Sequence, residues 1–90
     1  MTPSAANILI VDDEHSMLEL LEYMLSKEGY AISTAANGRT AVKMVESNVY
    51  DLILCDIRLG DITGLEVLRA AKNSTPQTVV IMISAYATTE

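Results

Sequence analysis

The chain has a single cysteine, Cys55, so no internal disulfide can hold it together. A small secreted scaffold stapled by bridges is thereby excluded. Cys55 sits inside an apolar run where any small hydrophobe would serve, and reads as a buried core thiol. Positive charge is scarce as well: six bases (Lys27, Arg39, Lys43, Arg58, Arg69, Lys72) face twelve acids, for a formal net charge of −6. The bases are scattered, with no stripe that could follow a phosphate backbone, which argues against direct nucleic-acid binding by these residues. No apolar stretch approaches the roughly 20 residues that span a bilayer. Residues 1–7 have neither the basic start nor the apolar core of a signal peptide. The expectation is a cytoplasmic protein without membrane contact. Internal repeats and low-complexity segments are also missing.

What is present is one small domain of 90 residues, half of them hydrophobic and a fifth charged. That suffices for a core, although it is near the low end for an architecture with helices on both faces of a sheet. Residues 8–11 and 52–55 are apolar without alternation, as in strands buried on both faces, which belong to parallel sheets. Between them, residues 14–27 carry Met17, Leu18, Leu20, Leu21, Met24 and Leu25 at helical spacing, with Gly29 as the stop. A short strand is expected over Ala31–Ala35, closed by a turn at Asn37-Gly38. A second helix is expected over 40–47, with Ala41, Val42 and Val45 on one face. A third is expected over 64–72, where Leu65, Leu68 and Ala71 align, followed by a loop containing Pro76. Residues 78–84 form a last apolar strand.

This βαβαβαβ order with short right-handed crossovers predicts an α/β fold: a flavodoxin-like, doubly wound parallel sheet of about four strands and three helices. The first and third strands should lie side by side, with ligands bound outside the carboxyl ends of the strands. Asp12, Asp13, Asp56 and Ser84 then meet on one rim. Crowded carboxylates repel one another and call for a cation. Hard oxygens with no nearby Cys or His ligand favour Mg²⁺. The lone histidine, His15, reads as a solvated surface residue. Beside a metal, a carboxylate can attack a phosphoryl group. The paired Asp12 and Asp13 are the expected metal holders and Asp56 the nucleophile. Capping of the first helix by Asp13 or Glu14 is the competing explanation, but it accounts for one acid and not three.

The segments ILIVDDEHSM, LILCDIRLGDITGLEVL and VVIMISAYATTE resemble the receiver domain of two-component response regulators over essentially the whole chain. The ISAYATTE ending is similar to receivers of nitrogen-regulation-type activators. The resemblance implies that Asp56 accepts a phosphoryl group from a sensor histidine kinase and that Mg²⁺ is organised by Asp12 and Asp13, with Asp56 and the backbone carbonyl of Arg58 as further ligands. It also implies that Ser84 is a hydroxyl switch, with Ala85 lining the pocket. An output domain or the transcription machinery would be the downstream partner. The domain would be regulatory, not an enzyme beyond its own phosphorylation and dephosphorylation.

Two departures stand out. Gly60 occupies the place of the usual proline and Thr63 that of the usual aspartate, so the loop after Asp56 is expected to be more mobile. The chain also ends at Glu90, before the fifth strand that carries the family's lysine, and reads as an incomplete receiver. Lys27, Lys43 and Lys72 fall at or near helix ends on the opposite rim. The fourth strand should then be an exposed edge and part of the first helix should lose its cover, so these 90 residues should either self-associate or be a fragment of a longer chain. An alternative function is a receiver-like interaction module that works without phosphorylation. A magnesium-dependent phosphohydrolase fits less well, because Asp12-Asp13-Glu14 lacks a second Asp two residues after the nucleophile.

Overall fold

In the computed structural model, which describes residues 5–83, four parallel strands and three helices alternate as β1 (Asn7–Val11), α1 (His15–Lys27), β2 (Ala31–Ala35), α2 (Gly38–Ser47), β3 (Leu52–Asp56), α3 (Gly64–Ser74) and β4 (Val79–Ile83). The sheet order is β2-β1-β3-β4, with every pairing parallel. The flavodoxin-like arrangement is as expected, and β1 and β3 are neighbours. The direction of winding reverses between them, which opens a crevice at their carboxyl ends.

The pleat sorts alternate residues to opposite faces. Leu9 and Val11 of β1, with Ile53 and Cys55 of β3, pack under α2 and α3 against Ala41, Val45, Val67 and Ala71. Ile8 and Ile10 face α1, where Leu18 is buried with Leu21 and Leu25 packed beside it. The two faces explain the unbroken apolar runs: every position of β1 from Ile8 onward is covered.

Element ends follow side-chain chemistry. α1 closes in a Schellman motif, with Gly29 N–H on the Ser26 carbonyl, Tyr30 N–H on the Leu25 carbonyl, and Gly29 at φ 96°. Asn37-Gly38 is not the expected turn. Asn37 caps α2 by accepting the Thr40 N–H at 2.8 Å, and the helix starts at Gly38. α3 runs two residues past the expected Lys72, with the Thr75 N–H bonded to the Ala71 carbonyl. Its buried line is Gly64, Val67 and Ala71, while Leu65, expected inside, is 53% exposed.

β4 is the edge. Val79, Ile81 and Ile83 on the α1 side are exposed, whereas Val80 and Met82 pack against the other core. On α1, Met17, Leu20 and Met24 are exposed in the same way. Three of the helix's six expected apolar positions are therefore exposed among the described residues. At the amino ends of the strands, Lys72 Nζ donates to the Pro76 and Thr78 carbonyls. Lys43 lies in the middle of α2 and not near a helix end.

Candidate functional site

Parallel pairing places Val11 opposite Cys55, so the next residues on the two strands, Asp12 and Asp56, emerge together at the carboxyl edge. Asp13 follows at the start of the β1–α1 turn. One carboxylate oxygen from each of Asp12, Asp13 and Asp56 lies within 4.8 Å of the others. Together with Glu14, Arg58, Leu59 and Gly60 they line a cavity of about 250 Å³. The three acids expected on this rim are thus together.

Each is aimed by its local backbone. Asp12 Oδ1 accepts the Glu14 N–H at 2.9 Å, and Asp56 Oδ1 accepts the Arg58 N–H at 3.1 Å. Glu14 occupies the N-cap position of α1, but its side chain makes no cap hydrogen bond. Helix capping therefore does not account for the acids. Gly60 forms part of the cavity wall, and a Cβ on it would stand 3.6 Å from Asp13 Oδ2. A residue without a side chain keeps the wall low beside that carboxylate.

Electrostatics within the cluster are unfavourable without a counter-ion. Burial pushes the Asp12 carboxyl above its usual range; the Glu14 N–H opposes this, and the charges of Asp56, Asp13 and Glu14 reinforce it. An all-oxygen cluster of this size is able to hold a hard divalent cation such as Mg²⁺, which offsets that repulsion. Cys55, fully buried beneath the site, has its thiol pushed up to about 12 by burial and by Asp56 and Asp12. It is inert, as a core thiol should be. His15 is exposed, as expected.

The loop between Asp56 and α3 is tied at several points. Gly64 N–H donates to the Ile57 carbonyl at 2.8 Å, Ile57 N–H to the Ile83 carbonyl at 3.0 Å, and Arg58 forms an isolated bridge with Thr63. Asp61 adds what sequence reasoning missed. Its two carboxylate oxygens accept the Gly38 and Arg39 N–H groups, each at 2.9 Å. The extra mobility expected from Gly60 is opposed by these bonds. Nothing local marks Asp61, because its partners lie 23 and 22 residues away. Ser84 and Ala85, the expected switch and pocket-lining residues, lie outside the described residues.

Residues 8–90 match the response regulator receiver domain. The chain belongs to this family. Receivers are regulatory domains of two-component signalling, and the fold above is theirs. The transcriptional regulatory protein ZraR of Klebsiella oxytoca is 36% identical over 90 residues, covering 100% of this chain and 20% of ZraR. The chain thus spans about a fifth of that relative's length. Among solved structures, the response regulator TrrA of Thermotoga maritima, in complex with Mg²⁺-BeF, superposes with a TM-score of 0.85 at 41% identity, over 91% of this receiver and 71% of TrrA. TrrA in complex with the histidine kinase ThkA superposes with a TM-score of 0.83 at 41% identity, over 92% of this chain and 72% of that one.

Proposed function

We propose that this receiver takes a phosphoryl group from the phosphohistidine of a sensor histidine kinase onto Asp56, in a Mg²⁺-dependent reaction, and thereby controls an output domain or partner. The observation that carries the reading is the convergence of Asp12, Asp13 and Asp56 within 4.8 Å at the carboxyl edge of β1 and β3. Likeness to TrrA, which has been seen with a histidine kinase and with Mg²⁺-BeF, supports it. Likeness to ZraR supports a role in transcription regulation. A cytoplasmic location would suit such partners. Among the described residues no helix is long and apolar enough to cross a membrane.

An oxygen of Asp56 attacks phosphorus as the P–N bond to the donor imidazole breaks, and the bonding pair leaves with the imidazole nitrogen, which takes up a proton. Asp56 is held for this by the Arg58 N–H on its Oδ1. Asp12 and Asp13, with the Arg58 carbonyl, would hold Mg²⁺, whose charge offsets the repulsion between carboxylate and phosphoryl oxygens. Asp12 stays oriented through the Glu14 N–H. Ser84 is the proposed hydroxyl switch, by resemblance. The exposed outer face of β4 further suits pairing with a second copy.

Incubation with a small phosphodonor and Mg²⁺, reduction with borohydride and peptide mapping test the site. Reduction converts an aspartyl phosphate to homoserine, expected at position 56. An unmodified chain would instead favour the phosphorylation-independent interaction module, a reading consistent with the lack of any lysine lining the acid cavity among the described residues.

A further inference from the structure

The acid cavity has a wall that belongs to neither β1 nor β3. Arg58, Leu59 and Gly60 line it from the loop after the phosphoacceptor strand. The next residue, Asp61, leaves the cavity and reaches the first turn of α2. There its Oδ1 accepts the Gly38 N–H and its Oδ2 the Arg39 N–H, each at 2.9 Å, with Arg39 Nε 3.8 Å away. Asn37 takes the Thr40 N–H at 2.8 Å. The free N–H groups at the start of α2 are thereby divided between its own cap and an acid from a loop 22 and 23 residues onward. Side chains lock the same contact: Ile62 lies so close over Gly38 that a Cβ there would meet Ile62 Cδ1 at 2.8 Å and Leu59 Cδ1 at 3.2 Å. The residues on both sides of Asp61 are therefore committed, Gly60 beside Asp13 and Ile62 over Gly38.

We propose that Asp61 is a positioning residue for the metal site: by fastening the β3–α3 loop to the N-terminus of α2, it holds the Arg58–Gly60 backbone at the distance from Asp13 that cation binding requires. The inference rests on the reading of the acid cluster as a Mg²⁺ site. The two bonds to backbone N–H groups also hold the Asp61 carboxyl down at about 2, so the fastening is charged at any physiological pH. With Gly60 in the loop, this outside contact adds stiffness to that from the Gly64–Ile57 bond and the Arg58–Thr63 bridge. Supports of this kind, one step removed from the ligands, commonly tune metal affinity by ten to a hundredfold.

The test compares Asp61→Ala with Asn37→Ala, which removes a cap from the same helix end without touching the loop. Mg²⁺ alone is titrated while the melting temperature is followed, and amide hydrogen exchange is measured in parallel. Asp61→Ala should raise the half-saturating Mg²⁺ concentration by about tenfold and speed exchange at residues 58–62 as well as at 38 and 39. Asn37→Ala should lower the melting temperature comparably, leaving Mg²⁺ affinity and exchange at 58–62 unchanged. If the unsubstituted protein gains nothing from Mg²⁺, the metal-site reading falls, and this inference with it. If it does gain, but Asp61→Ala and Asn37→Ala bind Mg²⁺ equally well, the positioning role is overturned and Asp61 is an ordinary helix cap.

Discussion

Gly64 packs against Asp56 so tightly that a methyl group on it would overlap the Asp56 carbonyl oxygen, with Met82 Cε at 2.8 Å and Ile57 Cα at 3.0 Å. α3 can approach the end of β3 only because residue 64 has no side chain, and that approach lets the Gly64 N–H reach the Ile57 carbonyl. Gly64→Ala forces backbone to move against backbone. The expected loss is about 2 kcal/mol or more, roughly 10 °C in Tm, read by thermal or denaturant unfolding. An unchanged midpoint would mean that the helix can slide away freely.

Crowding at the rim makes a signed prediction about charge. Asp12 is raised by burial and by its acidic neighbours, so its ionised form costs stability at neutral pH. Asp12→Asn keeps an oxygen to accept the Glu14 N–H and removes the repelling charge. Without Mg²⁺ it should be slightly more stable than the unsubstituted protein, by at most about 1 kcal/mol after solvent screening. The unsubstituted protein should gain about 1.4 kcal/mol from Mg²⁺ at ten times its Kd. Asp12→Asn and Asp13→Ala should lose most of that gain. Thermal melts with and without Mg²⁺ measure both effects.

Acid should act on Asp61 in the opposite sense. Its carboxyl is held at about 2, against 3.8 when unperturbed, chiefly by the Arg39 and Gly38 N–H groups. The stability it contributes is complete above about pH 4 and disappears as the pH falls through 2. Asp12, with its raised value, instead costs less as it is protonated. Asp61→Asn should therefore melt lower than the unsubstituted protein at pH 6, and the two curves should converge as the pH approaches 2. A constant gap across that range would show that the carboxylate charge is irrelevant to the contact.

The exposed β4 face makes a prediction about association. Val79 and Ile81 are 55% and 47% exposed on a strand that is an edge among the described residues, and Met17, Leu20 and Met24 of α1 are exposed as well. Light scattering after size exclusion should give a mass that rises with concentration, and Ile81→Lys should return it to the monomer. A concentration-independent monomer for the unsubstituted chain would remove β4 as a self-association edge.

Much of this was legible in the sequence because a buried parallel strand leaves a signature that needs no partner to read. The runs ending at Val11 and Cys55 are apolar because both faces of the sheet are covered, and the acids that follow them had to share a rim once the strands ran parallel. Contacts across the fold left no such signature. Asp61 resembles any loop acid until α2 is brought beside it, and Asn37-Gly38 resembles a turn until Asp61 takes the Gly38 N–H. Leu65 has the right spacing for burial, yet the close approach at Gly64 turns the helix so that Val67 and Ala71 face the sheet.

The central claim is that the three clustered acids form a Mg²⁺-dependent phosphoacceptor site with Asp56 as the reacting group. Intact-mass spectrometry after incubation with a small phosphodonor tests it most directly. One added phosphoryl group is expected with Mg²⁺, none after Mg²⁺ is chelated, and none in Asp56→Asn. An equal mass gain in Asp56→Asn, or no gain in the unsubstituted protein with Mg²⁺ present, would contradict it.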